Sequence, residues 1–205
     1  TQQGYAVRFL ETLAERMEQF RFDPNGEGEL DDRVVASIDT FLPFRDDFVT
    51  FVDTVALFRN DRESYQRISD FFEQCLPYKF RPKGMSQWQE MWSDNFDFIL
   101  HELFLYSATI LIRYKRLDEL LVLTSKMYIV PETADWGQMC VAPFVVCCGY
   151  CESLGRRNQR LMLKHLDLMA DIIRQRATLK TASFDHLMQA DGFLFLSSLL
   201  NEACD

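Results

Sequence analysis

Four groups of residues carry the types and spacings that could do chemistry. Asp23, Asn25, Glu27, Gly28, Leu30 and Asp31 follow a helical stretch in the order of a calcium loop, with oxygen donors at positions 1, 3 and 5, Gly at 6 and Asp at 9. Position 12, where a bidentate Glu would close the shell, is Val34, and position 2 is Pro24, so the segment reads first as an acidic turn leading to Asp31 or Asp32 as a helix cap. Cys140, Cys147, Cys148 and Cys151 form a second group. It contains one zinc-knuckle-like pair, Cys148 with Cys151, where a structural zinc uses two. Because Val141, Phe144, Val145 and Val146 surround these thiols, they are expected to pack as small core residues. In the third group Asp94, Asp97 and His101 share one stripe of a helix, where a carboxylate can orient an imidazole or help hold a metal. Glu102, Tyr106, Thr109 and Arg113 run alongside, and in so apolar a helix the expected outcome is an internal hydrogen-bond network.

The fourth group is Arg160 and His165, separated by four residues. The pair resembles the R-x4-6-H signature of HEPN ribonucleases, small all-helical, metal-independent enzymes of toxin and antiphage systems. The resemblance implies a homodimer in which Arg160 and His165 of two protomers meet and handle the scissile phosphate and 2′-hydroxyl of an RNA. It covers two residues on one predicted helix, and Leu161 stands where the family usually has a polar residue. Without it, Arg160 belongs to a solvated charged face and His165 flanks the core.

A binding surface is suggested elsewhere. Phe80, Arg81, Lys83, Trp88 and Trp92 lie close together at a loop and an expected helix start, where rings and cations would meet a peptide or a phosphate group. The alternative is that both Trp pack under the loop.

Composition narrows the classes. Hydrophobic residues at 48% and charged residues at 26% describe a globular chain, and 8 Gly with 6 Pro are too few for an all-β protein of this length. The formal charge of -9 disfavours nucleic acid as a partner, except as the RNA substrate of the ribonuclease reading. Basic side chains nonetheless cluster at Lys79, Arg81 and Lys83, at Arg113, Lys115 and Arg116, and at Arg156, Arg157, Arg160 and Lys164. No GxGxxG, Walker loop, HExxH or GxSxG is present. The apolar run Phe96 to Tyr114 is broken by Asp97, His101, Glu102 and Arg113, which suits a buried helix better than a membrane span of about 20 apolar residues. No metal, cofactor or membrane is expected, and the thiols are expected reduced in a cytoplasmic setting.

The elements that must position these groups are helices. Apolar residues recur at helical spacing over 5–20, from Asp31 to Pro43, over 46–58, 62–76 and 117–128, and over 156–176 and 183–203. Ser86, with Gln89 three residues on, predicts the cap of a long helix over 87–114, and Gly155 predicts a break. The segment 136–150 is less regular. These signals predict one all-α domain, an irregular multi-helix bundle of about seven to nine helices around a long central helix, with a sub-boundary at the 77–85 loop. A chain beginning at Thr1 and ending at Asp205, just after an apolar run, is expected to be part of something larger. The expected role is a protein-interaction, oligomerisation or sensor module of a larger cytosolic protein or complex, partnered by another protein or a linked domain, with a homodimer left open.

Overall fold

The computed structural model describes residues 2–21, 23, 26–58, 62–82, 84–131 and 138–202. Along them run nine α-helices: α1 (Gln2–Glu15), α2 (Leu30–Thr40), α3 (Leu42–Phe58), α4 (Arg62–Cys75), α5 (Asp94–Arg113), α6 (Leu117–Ser125), α7 (Glu152–Arg160), α8 (Leu168–Arg176) and α9 (Phe184–Glu202). One antiparallel pair, β1 (Tyr128–Pro131) and β2 (Met139–Ala142), joins α6 to the second half of the chain, with Tyr128 opposite Ala142. The fold is an all-α multi-helix bundle.

Helix α5 is its axis. Apart from Asp97, His101, Ile112 and Arg113, every residue in it is buried, because α2, α3, α6 and α9 all pack against it. This helix and the turn before it, Glu90–Arg113, is the one stretch among the described residues long and apolar enough to cross a membrane, and 83% of its apolar window is already covered by the rest of the fold. The interior beside it is aromatic. Phe48 of α3 stacks on Phe71 of α4, Phe72 of α4 meets Phe104 of α5 edge-on, and Phe104 stacks on Phe144.

A charged cluster is buried in the same core. Glu102 of α5 takes both arms of Arg176 (2.9 and 2.8 Å) and a longer bond from Arg45 of α3 (3.3 Å). Arg45 also donates to the carbonyl of Arg176 at 2.7 Å, and Arg176 to that of Ile38 at 2.9 Å. Of the stripe expected to form an internal network, only Glu102 enters this one, with guanidinium partners from α3 and α8 that lie far away in sequence. Thr109 bonds the carbonyl of Leu105 within α5, Arg113 that of Thr181, and the buried Tyr106 hydroxyl has no hydrogen-bond partner among the described residues.

Four boundaries differ from the sequence expectation. Helix α3 starts at Leu42, so Pro43 sits in its first turn, where a missing N–H costs nothing, and does not separate two helices. Ser86 does not cap the central helix, since Gln89 is extended (φ -124, ψ 134) and only the 3-10 turn Glu90–Ser93 leads into Asp94. The expected 117–128 helix ends at Ser125, because Lys126 turns extended and the chain enters β1, which buries Tyr128 and Val130 and exposes Ile129. The expected 156–176 helix is two helices, and Gly155 lies inside the first. The break comes after Arg160. Met162 adopts φ 51, its amide bonds Gln159 and that of Leu163 bonds Asn158, which together close the helix end. Asp167 then caps α8 by accepting from the amides of Met169 and Ala170. Trp136 and the expected helix end at Ala203 lie outside the described residues.

Candidate functional site

The segment after α4 cannot continue as a helix, because Pro77 admits only a short 3-10 turn and Phe80 goes extended. Arg81 reaches forward to the carbonyl of Met85 (Nε to O, 2.6 Å) and closes the loop on itself. Residues 86–93 lead into α5 through an extended Gln89 and a 3-10 turn, and with the 79–81 segment they line a cleft of about 1160 Å³. Phe80, Arg81, Trp88 and Trp92, four of the five binding residues expected from sequence, line it. Lys83, the fifth, lies outside the described residues. Both Trp are half-buried, with ring centroids 5.8 Å apart and planes at 85°, so they form an edge-to-face pair bordering the cleft.

The opposite wall is supplied from far along the chain. Val146, Tyr150 and Glu152 come from the segment leading into α7, and Tyr150 is largely exposed. The floor is the first turn of α5, with Asp94 and Asp97. Lys79 crosses the floor, paired with Asp97 at 2.8 Å and donating to the carbonyl of Val146, so its charge is spent on the fold. Gly149 is required here, because an added Cβ would fall well inside contact distance of the Asp97 carboxylate.

Asp94 is buried and accepts from Ser153 of α7, from the amide at 2.5 Å and from the hydroxyl. Burial pushes its carboxyl up to about 6, against the pull of the Ser153 bonds. Asp97 is also raised by burial, with Lys79 acting in the opposite sense. A carboxyl with a folded value above its ordinary 3.8 contributes stability that is full below about pH 4 and is lost as pH rises through about 6. Asp94→Asn is therefore expected to raise the melting temperature relative to wild type more at pH 7.5 than at pH 4. Thermal unfolding at both pH values checks this, and parallel pH profiles for the two proteins would refute it.

Comparison with family models, with curated proteins and with solved structures returns no match.

The other sequence candidates are placed apart. Arg160 and His165 do not share a helix: Arg160 ends α7, and His165 lies in the segment before α8. Arg160 clasps Asp31 of α2 through two bonds of 3.0 and 2.9 Å, while His165 contacts Asp171 at 2.5 Å and is held through its backbone by Asn158. Each is engaged by a separate acidic partner of the same chain. In the same basic run Arg157 pairs with Asp32, and Arg156 with Glu152 at the surface.

In the acidic turn, Arg33 donates to the carbonyls of Asp23 and Gly26, so a guanidinium holds the loop, and Asp31 belongs to Arg160. Pro24 and Asn25 lie outside the described residues. Cys147 and Cys151 are core residues, Cys148 is half-buried and Cys140 is exposed on β2. Burial raises the thiols of Cys147, Cys148 and Cys151, that of Cys148 to about 12, which keeps all three protonated at neutral pH. The Asp94, Asp97, His101 stripe is divided among three partners, since His101 faces Asp191 of α9 at 4.0 Å. Among the described residues no three His, Cys, Asp or Glu side chains converge as a metal site.

Sequence reasoning missed Tyr150, Glu90 and Glu152 as cleft residues and assigned Asp94 and Asp97 to a different role. For Glu90 and the two Asp, their closeness to Trp88 and Trp92 in the chain was the available signal. For Tyr150 and Glu152 no local signal exists.

Proposed function

We propose that this chain is a helical protein-interaction module, working in the cytoplasm within a larger protein or complex, and that its docking site is the cleft over the start of α5. The observation that supports this most directly is the cleft itself. Its volume of about 1160 Å³ is enough for several side chains of an extended segment, and Phe80, Trp88, Trp92 and Tyr150 offer large rings with few torsions to freeze. Aromatic residues of this kind carry a disproportionate share of binding energy at protein interfaces. The cytoplasmic setting is supported by the free thiols, among them the exposed Cys140.

The test is selection of an immobilised library of randomised extended hexapeptides on the whole chain. Enriched peptides are expected to lose about tenfold or more in affinity on Trp88→Ala or Trp92→Ala. The melting temperature should change little, because both rings are half-buried at the surface. Peptides that bind both variants as tightly as wild type, or a library that yields no binder, would overturn the reading.

A further inference from the structure

The chemistry of the cleft also limits what can occupy it, given that it is a docking site as argued above. Four carboxylates line it, Glu90, Asp94, Asp97 and Glu152, against two cations, Lys79 and Arg81. Lys79 is neutralised by Asp97 and its side chain is only 10% exposed, so it has little left for a ligand. Glu90 is exposed, and Glu152 pairs with Arg156 in an exposed contact of the kind that contributes little. The first turn of α5 already carries Asp94 and Asp97, so its partial positive charge is answered from within the chain and does not favour a phosphate. An anionic segment would meet this surplus of carboxylate inside a protein of formal charge -9.

A cation meets the opposite situation. Indole faces attract a cation through the ring quadrupole, and a guanidinium can also lie flat on a ring while its edge bonds a carboxylate. The cleft holds both kinds of group, being lined by the paired indoles of Trp88 and Trp92, by Tyr150, and by the carboxylates of Glu90 and Glu152. We propose that the occupant of this cleft is an arginine-bearing peptide segment of a partner protein, its guanidinium taken between the aromatic rings and the carboxylates of Glu90 and Glu152.

The experiment uses the whole chain with 15N-labelled tryptophan and watches the indole N–H signals of Trp88 and Trp92, assigned by Trp→Phe variants. The probes are the N-acetyl amides of arginine, lysine, norleucine and glutamate, and the enriched hexapeptides are sequenced in parallel. Acetyl-arginine amide is expected to move both indole signals saturably, lysine more weakly, and norleucine and glutamate not at all. Glu90→Gln with Glu152→Gln, both at exposed positions, is expected to leave the melting temperature unchanged and to weaken the arginine probe about tenfold. The inference is overturned, with the docking cleft intact, if Trp88-dependent hexapeptides are enriched in acidic or purely apolar residues, or if the double variant binds the arginine probe as well as wild type does. If no hexapeptide depends on Trp88 or Trp92 and no probe moves either indole, both the cleft and its arginine specificity fall.

Discussion

Replacing Glu102 by Leu is expected to cost about 3–5 kcal/mol of folding stability, a loss on the order of 10 °C in melting temperature for a chain of this size. The reason is what the substitution leaves behind. Arg45 and Arg176 are 1% and 5% exposed, and Glu102, at 0%, is the carboxylate both guanidiniums reach in the interior. Asp46 and Asp39 also contact them, but from the surface, at 46% and 62% exposure. Without Glu102, Arg176 loses both of its short bonds to carboxylate and two buried positive charges face each other. The triple variant Arg45→Met, Glu102→Leu, Arg176→Met is expected to be more stable than Glu102→Leu alone, because no charge is stranded, and the carbonyls of Ile38 and Arg176 each lose a guanidinium donor but keep the amides of Phe41 and Thr178. Thermal and urea unfolding of the two variants checks this. A single variant within about 1 kcal/mol of wild type would mean that water or a surface carboxylate takes over, and the network would not be what fixes α3, α5 and α8 together.

Phe104→Ala is expected to cost a similar amount, about 3–5 kcal/mol, by a different route. Phe104 is fully buried and its ring touches Phe72 of α4 on one side and Phe144 on the other, the latter at 14° between planes and 5.8 Å between centroids. Deleting it removes the transfer energy of the ring and leaves a cavity between one edge-on and one stacked neighbour on separate elements. Phe195→Ala on α9 supplies the comparison. That ring is 63% exposed, so its removal is expected to change stability by less than about 0.5 kcal/mol. Equal losses for the two variants in urea unfolding would show that α9 is covered in solution. A small loss for Phe104→Ala would show that the aromatic core repacks.

These two effects also bear on the cleft. Glu102 and Phe104 belong to the same helix as Asp94 and Asp97, and Phe144 begins the segment that carries Val146, Tyr150 and Glu152 across to the second wall. That wall is held both by core packing at Phe144 and by contacts of the cleft residues themselves, Lys79 with the carbonyl of Val146 and Asp94 with Ser153. Both variants are therefore expected to weaken the tryptophan-dependent binding described above.

Much of this was legible in the residues themselves. The three- and four-residue recurrence of Phe48, Val52 and Val55, or of Tyr65, Ile68 and Phe72, specifies a helix and its buried face, because helix geometry repeats on that period regardless of what lies opposite. The scarcity of Gly and Pro and the long apolar run at 96–112 specify an all-α core around one axis. Phe80, Arg81, Trp88 and Trp92 were recognisable as neighbours because so few residues separate them. The tertiary structure decided the rest. A helix end can be made by a left-handed Met162 with two amide bonds, as well as by a Gly, so the pattern of apolar residues through 156–176 carried no mark of the break that parts Arg160 from His165. The sign of the cleft was also invisible. In sequence Lys79, Arg81 and Lys83 suggest an anion site, but Asp97 pairs with Lys79 one helix away, and Tyr150 and Glu152 arrive from more than fifty residues on. Periodicity is a local property of the chain, whereas the charge and shape of a site depend on which distant side chains the packing brings opposite one another.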